Sequence, residues 1–191
     1  LTHFNVLKGM PQAAQILANA VVQNNRVIIV GDFDADGATS TSVCILALRA
    51  MGYHNVDFLV PNRFDFGYGL SVPIVDEAAK QGAEVIVTVD NGISCIDGVT
   101  HAKSLGMQVV VTDHHLPGDV LPPADAIVNP NQPGCEFPSK NLAGVGVAFY
   151  IMLALKAELQ QQGHFERAGL APPNLASLLD IVAVGTVADV V

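Results

Sequence analysis

The sequence is short of positive charge, of cysteine and of long apolar runs, and each shortage narrows what the chain can be. Only 9 Lys and Arg stand against 18 Asp and Glu, for a formal net charge of -9. Nucleic-acid surfaces are normally built from clustered Lys and Arg, so this balance speaks at first sight against such a role. The three cysteines, Cys44, Cys95 and Cys135, are odd in number, widely spaced and form no Cys-x-x-Cys pair. Neither a disulfide framework nor a zinc knuckle is expected, and a reducing cytoplasm is the default. No apolar run approaches the ~20 residues of a membrane span, and no signal-peptide pattern opens the chain. There is no internal repeat and no low-complexity tract.

Half of the residues are nevertheless apolar. That excess points to buried strands, and to a surface that meets another domain. At 191 residues the chain is long enough for one domain with a real core. It starts at Leu1 rather than Met and stops at Val190-Val191 inside an apolar stretch, which fits one lobe of a longer protein.

Short β-branched runs alternate with longer helical patterns, the sign of βαβ units. Strands are expected over Arg26-Gly31, Val56-Val60, Glu84-Val89, Gln108-Thr112 and Ala124-Val128. Their Val and Ile run without polar alternation, as in parallel strands covered on both faces. Helices are expected near Pro11-Gln23, Ala38-Met51, Val72-Gln81, Ile96-Leu105, Val145-Gln161 and Asn174-Val187. A Pro/Gly/Asn loop spans Asn129 to Lys140, and Gly163-Pro173 reads as a connector, with Pro172-Pro173 starting the last helix. The fold class is therefore α/β: a parallel, doubly wound, Rossmann-like sheet of about five strands with flanking helices.

The informative residues fall just past the carboxyl ends of strands, where open parallel sheets place their ligands. The first strand runs into Gly31-Asp32-Phe33-Asp34-Ala35-Asp36-Gly37, the third into Asp90-Asn91-Gly92, the fourth into Asp113-His114-His115. Aspartates this close repel one another, a cost that a bound cation removes. Mg²⁺ and Mn²⁺ take carboxylate oxygens, and a mixture of Asp with one or two His leans toward Mn²⁺. Two such ions about 3.5–4 Å apart, bridged by one carboxylate, activate water and stabilise the leaving oxygen in phosphoester hydrolysis. Asp90 is the candidate bridge, because a doubly wound order sets its strand between the first and the fourth.

Other readings of these residues are weaker. Asp-x-Asp-x-Asp-Gly also opens a calcium-binding EF-hand loop, but that loop needs a Glu where this chain has Val43, and it lies between two helices. A single Asp after a strand is usually a helix cap, and a single His is seldom a ligand. His3, His54, His101 and His164 belong to no such strand-end cluster and read as surface or structural residues.

The three motifs resemble those of the DHH phosphoesterase superfamily, whose Asp-His-His stands here as Asp113-His114-His115. A fourth family motif is matched by Gly185-Thr186-Val187-Ala188-Asp189. The resemblance covers most of residues 26 to 189. Within the superfamily, Pro61-Asn62-Arg63-Phe64 with Gly67-Tyr68-Gly69-Leu70, and Leu142 to Phe149, are similar to segments of the RecJ-type exonucleases. The resemblance implies that Asp34 serves one metal ion, that Asp36, His114 and Asp189 serve the other, and that Asp90 bridges both. It also implies that His115 faces the scissile phosphate and that Asp113 orients its neighbours. Relatives that hydrolyse pyrophosphate or short oligonucleotides carry a His four residues before the first metal-binding Asp. Here that position is Val30, which favours the RecJ-type branch and lets Asp32 take over part of the missing ligand's role.

Arg63 could hold a substrate phosphate, and Gly144 and Gly146 at a helix start could offer N–H groups to another; the alternatives are a solvated loop Arg and glycines needed for close helix packing. The family implies a metal-dependent exonuclease on single-stranded DNA, working 5′ to 3′ in repair and recombination. The rivals are a hydrolase of a small phosphorylated substrate and a non-catalytic metal-binding module. A single-stranded-DNA-binding protein or a helicase is the implied protein partner, and no membrane is involved. Residues 1–191 correspond to the DHH catalytic domain; the family's second small domain and oligonucleotide-binding fold have no counterpart in this chain.

Overall fold

The computed structural model describes residues 1–189, and for Arg63 the backbone alone; Val190 and Val191 lie outside the described residues. Five strands form one parallel sheet: β1 (Val27–Val30), β2 (Val56–Leu59), β3 (Val85–Thr88), β4 (Gln108–Thr112) and β5 (Ala126–Val128). Their order is β2-β1-β3-β4-β5, the doubly wound arrangement expected. Every residue of β1 and β3 is buried, because helices cover both faces. Side chains alternate across the pleat. Val27 and Ile29 therefore join the core beneath α1 (Met10–Gln23), α2 (Ala35–Ala50) and α6 (Gly144–Gln161), while Ile28 and Val30 join the core beneath α4 (Val72–Lys80) and α5 (Ile96–Ser104). Edge strand β2 keeps Asp57 and Phe58 exposed.

The order reverses between β1 and β3, so the chain leaves these two neighbours toward opposite faces and opens a crevice at their carboxyl ends. Two helices shape that crevice. Helix α6 has twelve buried residues of eighteen and belongs to the interior along most of its length. Helix α8 (Leu179–Ala188) packs on α2 and α6, and a Cβ at Gly185 would lie 2.2 Å from Thr39 Oγ1. Only glycine lets α8 come so near, and this approach brings Asp189 to the crevice.

Several local expectations need correction. Helix α2 starts at Ala35 rather than Ala38, because Asp34 caps it by accepting the Gly37 N–H at 2.8 Å. The connector after Gly163 contains a short helix, α7 (His164–Ala168), bounded by the left-handed glycines Gly163 and Gly169. The last helix starts with a 3₁₀ turn, Leu175–Leu178, capped by the Asn174 side chain rather than begun by Pro172-Pro173. A one-turn helix, α3 (Arg63–Phe66), follows β2 with Asn62 as its cap. Among the described residues no helix is long and apolar enough to cross a membrane.

Candidate metal centre

Four elements deliver carboxylates to the crevice. The turn after β1 and the first turn of α2 supply Asp32, Asp34 and Asp36; the turn after β3 supplies Asp90; the loop after β4 supplies Asp113, His114 and His115; the end of α8 supplies Asp189. His114 stands at the centre. Its Nε2 lies 3.0 Å from Asp90 Oδ1, 3.5 Å from Asp36 Oδ2 and 3.7 Å from Asp189 Oδ2. Ligating atoms of Asp36, His114 and Asp189 fall within 4.8 Å of one another, as do those of Asp32, Asp34 and Asp90, and those of Asp90, His114 and His115. Asp90 is thus shared between a group that reaches β1 and a group that reaches β4.

The backbone is bent to place Asp90. Its φ of 59° is left-handed, a region few residues other than Gly enter and Asp tolerates. Asn91 holds the bend by donating from Nδ2 to the carbonyls of Val30 at 3.0 Å and Val89 at 2.9 Å, which ties the ends of β1 and β3 together. Gly92, at φ 114°, passes where a Cβ would lie 2.5 Å from Thr88 Oγ1.

Asp36 and Asp90 are both buried, yet their surroundings differ. Asp36 accepts N–H groups from Gly144 and Val145 at 2.7 Å each, at the N-terminus of α6. Burial raises its pKa above the ordinary carboxylate value, and these two N–H groups oppose the rise. Asp90 Oδ1 is buried and makes no hydrogen bond of good geometry, although His114 Nε2 lies 3.0 Å away. Burial, and then the charges of Asp36 and Asp34, push Asp90 up to about 7 against the relief given by His114. Asp189 Oδ2 is likewise buried without a partner. Burial alone would lower His114, but contact with Asp90 and the field of Asp36 outweigh it and hold the imidazole above its usual range.

Unpartnered, crowded carboxylate oxygens beside an imidazole are an unfavourable arrangement on their own. Hard divalent cations take this donor set of carboxylate oxygens and one or two imidazole nitrogens. The donor groups present, Asp32 with Asp34 and Asp90, and Asp36 with His114 and Asp189, therefore fit such ions.

Asp113 works from behind. Its Oδ2 accepts the Ile93 N–H at 2.9 Å, and its Oδ1 accepts the His114 N–H, the His115 N–H and His115 Nδ1 at 2.8, 3.2 and 2.6 Å. The Nδ1 contact, against the cost of burial, carries the His115 pKa to about 9. His115 is half exposed and borders a cavity of about 380 Å³ lined by Tyr68, Gly92, Ile93 and Ser94. A larger cavity, about 700 Å³, lies against the C-terminal half of α6 beside Phe4 and Met10 and holds no comparable cluster among the described residues.

Two expectations do not hold. The Gly144 N–H goes to Asp36, and the Gly146 N–H goes to the Ala143 carbonyl, so neither is offered to a phosphate. Both glycines serve packing: a Cβ at Gly144 would lie 2.7 Å from Asp90 Oδ1, and one at Gly146 2.4 Å from Leu142 Cδ1. The side chain of Arg63 lies outside the described residues.

Nothing in the sequence assigns Tyr68 a role, although it sits in the Gly67-Tyr68-Gly69-Leu70 segment. Its ring meets that of His115 edge-on at 6.4 Å, and burial followed by the charges of Asp113, Asp32 and Asp90 keeps its hydroxyl protonated far above the usual phenol range.

The DHH family, N-terminal domain, matches residues 26–186. The chain belongs to the DHH family. This DHH chain is 63% identical over 185 residues to the single-stranded-DNA-specific exonuclease RecJ of Salmonella typhimurium, covering 97% of this chain and 32% of that protein. It thus spans about a third of the length of the RecJ proteins of Salmonella typhimurium and Escherichia coli. A crystal structure of exonuclease RecJ bound to manganese superposes with a TM-score of 0.79 at 37% identity, over 96% of this chain and 44% of that one. RecJ from Thermus thermophilus in complex with Mg²⁺ superposes with a TM-score of 0.58 at 30% identity, over 97% of this chain and 21% of that one.

Proposed function

We propose that residues 1–191 form the DHH catalytic domain of a metal-dependent phosphodiesterase that degrades single-stranded DNA exonucleolytically, 5′ to 3′, in repair and recombination. The observation that carries this reading is the pair of buried, unpartnered oxygens, Asp90 Oδ1 and Asp189 Oδ2, in a cluster whose Asp90 is shared between two ligand groups. Bound Mn²⁺ or Mg²⁺ would supply charge neutralisation and Lewis acidity at the attacking water and the leaving oxygen.

The chain's own side chains do the rest. Asp34, Asp36, Asp90, His114 and Asp189 hold the ions, and Asp32 supports the first of them. His115, charged while Asp113 holds its Nδ1, faces the scissile phosphate and offers it a proton-bearing nitrogen. The buried Val30, where small-substrate relatives carry a His, supports a polymer substrate. The same reading makes single-stranded DNA the partner, with a single-stranded-DNA-binding protein or a helicase as protein partner, and the cytoplasm the place of work.

Digestion of 5′- and 3′-labelled single strands with Mn²⁺ or Mg²⁺ tests it. Mononucleotides should leave from the 5′ end. Hydrolysis of pyrophosphate or dinucleotides with intact strands would replace this reading by a small-substrate hydrolase, and metal binding without any hydrolysis would replace it by a binding module.

A further inference from the structure

The loop between β5 and α6 has so far no part in the chemistry, yet it holds the His pair in an unusual way. Both backbone N–H groups of His114 and His115 are taken by Asp113 Oδ1. Both carbonyls are taken by amides of one Asn-Pro-Asn turn. Asn131 Nδ2 donates to the His114 carbonyl at 2.6 Å, and Asn129 Nδ2 donates to the His115 carbonyl at 2.9 Å. Asn129 is fully buried, and its Oδ1 accepts the Asn131 N–H at 2.8 Å, so the two amides share one rigid unit.

That unit is itself fastened. Lys140 Nζ donates to the carbonyls of Pro130 at 2.7 Å and Cys135 at 2.9 Å, and Asn131 Nδ2 also reaches the Lys140 carbonyl at 3.2 Å. All four backbone polar groups of two adjacent residues are thus held by side chains rather than by regular secondary structure. Consecutive residues outside a helix or strand have soft dihedrals. Their imidazoles must nonetheless point differently, His114 into the carboxylates and His115 toward the cavity beside Tyr68.

We infer that Asn129 and Asn131 are positioning residues that aim His114 and His115 through their backbone carbonyls. The inference rests on the metal-centre reading proposed above. A neighbour in the same loop provides the contrast: Gln132 Nε2 donates to the carbonyls of Lys8 at 3.1 Å and Ile127 at 2.8 Å and touches neither His. Removing Gln132 loosens the loop without releasing the His carbonyls.

The test is Mn²⁺ affinity by calorimetry on metal-stripped protein, with melting in chelator alongside, for the unsubstituted chain, Asn131→Ala, Asn129→Ala and Gln132→Ala. Asn131→Ala should weaken Mn²⁺ binding by ~10-fold or more, the scale of lost outer contacts to a metal ligand. Asn129→Ala should lower kcat on single strands while KM stays near that of the unsubstituted chain, since it frees the carbonyl of His115. Gln132→Ala should lower the melting temperature and leave Mn²⁺ affinity within about twofold, well short of the loss expected when an outer contact to a ligand is broken. If Asn131→Ala fails to fold, Asn131→Ser, which keeps a polar turn residue but cannot reach the His114 carbonyl, takes its place. Unchanged affinity in the folded Asn131 variant, or an equal loss in Gln132→Ala, would overturn the inference alone. Absence of Mn²⁺ binding by the unsubstituted chain would overturn the metal-centre reading and this inference with it.

Discussion

The turn after β1 and the turn after β3 each bury a carboxylate in the same crevice, and they treat it in opposite ways. Asp36 sits in the first turn of α2 with both oxygens answered by the start of α6. Asp90 sits on a left-handed bend with Oδ1 close to His114 Nε2, at 3.0 Å, but in no hydrogen bond of good geometry. Asp36 therefore ties α2 to α6, and in the proposed function it would also offer its remaining lone pairs to a cation. Asp90 contributes little to the metal-free fold. A buried acceptor without a well-aligned donor costs roughly 1–3 kcal/mol, a cost that the metal-ligand role proposed for Asp90 would offset.

The largest expected effect comes from breaking that contrast at Asp90. Asp90→Asn removes the charge shared by both ligand groups, and metal-dependent hydrolysis should fall by orders of magnitude. In chelator the same variant should melt at or above the temperature of the unsubstituted chain, because an uncharged side chain escapes the cost of burial and the repulsion by Asp36 and Asp34, which together outweigh the contact with His114. A large loss of metal-free stability would instead make Asp90 a cap of the turn after β3.

Asp36→Asn should behave differently. One of its two oxygens becomes an NH₂ facing a backbone N–H, so the metal-free protein should lose about 1–3 kcal/mol by chemical denaturation. Equal metal-free stability of the two Asn variants would remove the distinction between the turns.

A smaller effect separates the same residues by pH. Folded Asp90 keeps its proton to about 7, against 3.8 when unfolded. Between those values the folded state binds more protons, so stability in chelator falls as pH rises. His115 acts in the same direction at higher pH: its charged form, held by Asp113, contributes fully below 6.5 and is lost as pH rises through about 9. The melting difference between the unsubstituted chain and Asp90→Asn should therefore shift against the unsubstituted chain from about pH 4 to 7, and further as the imidazole charges that Asp90 supports on His114 and His115 are lost. A difference independent of pH would contradict the raised Asp90 pKa.

Much of this arrangement is readable in the residues. Runs such as Val27-Ile28-Ile29-Val30 carry their own burial on two faces, and the clusters after β1, β3 and β4 lie where a doubly wound sheet brings strand ends together. What cannot be read is the partner of each polar group across long stretches of chain. Asp36 meets Gly144, 108 positions away, and Asn131 meets His114 across 17. No local pattern distinguishes an N–H kept for a phosphate from one already given to a carboxylate, which is why the expectation for Gly144 and Gly146 fails. Asn129 and Asn131 look like ordinary loop residues, since Asn is common in turns for reasons that have nothing to do with a neighbouring ligand. Helix α7 leaves little trace in the pattern because two glycines frame only five residues.

Whether the buried carboxylate oxygens of the crevice are cation ligands is decided by thermal melting of metal-stripped protein against increasing Mn²⁺. A ligand held only by the folded state at about 100 times its Kd adds ~2.7 kcal/mol, which for a domain of this size raises Tm by roughly 5–10 °C. The unsubstituted chain should show that rise, and Asp90→Asn a much smaller one. A melting temperature that millimolar-range Mn²⁺ leaves unchanged, or an equal rise in both proteins, would contradict that role for the oxygens.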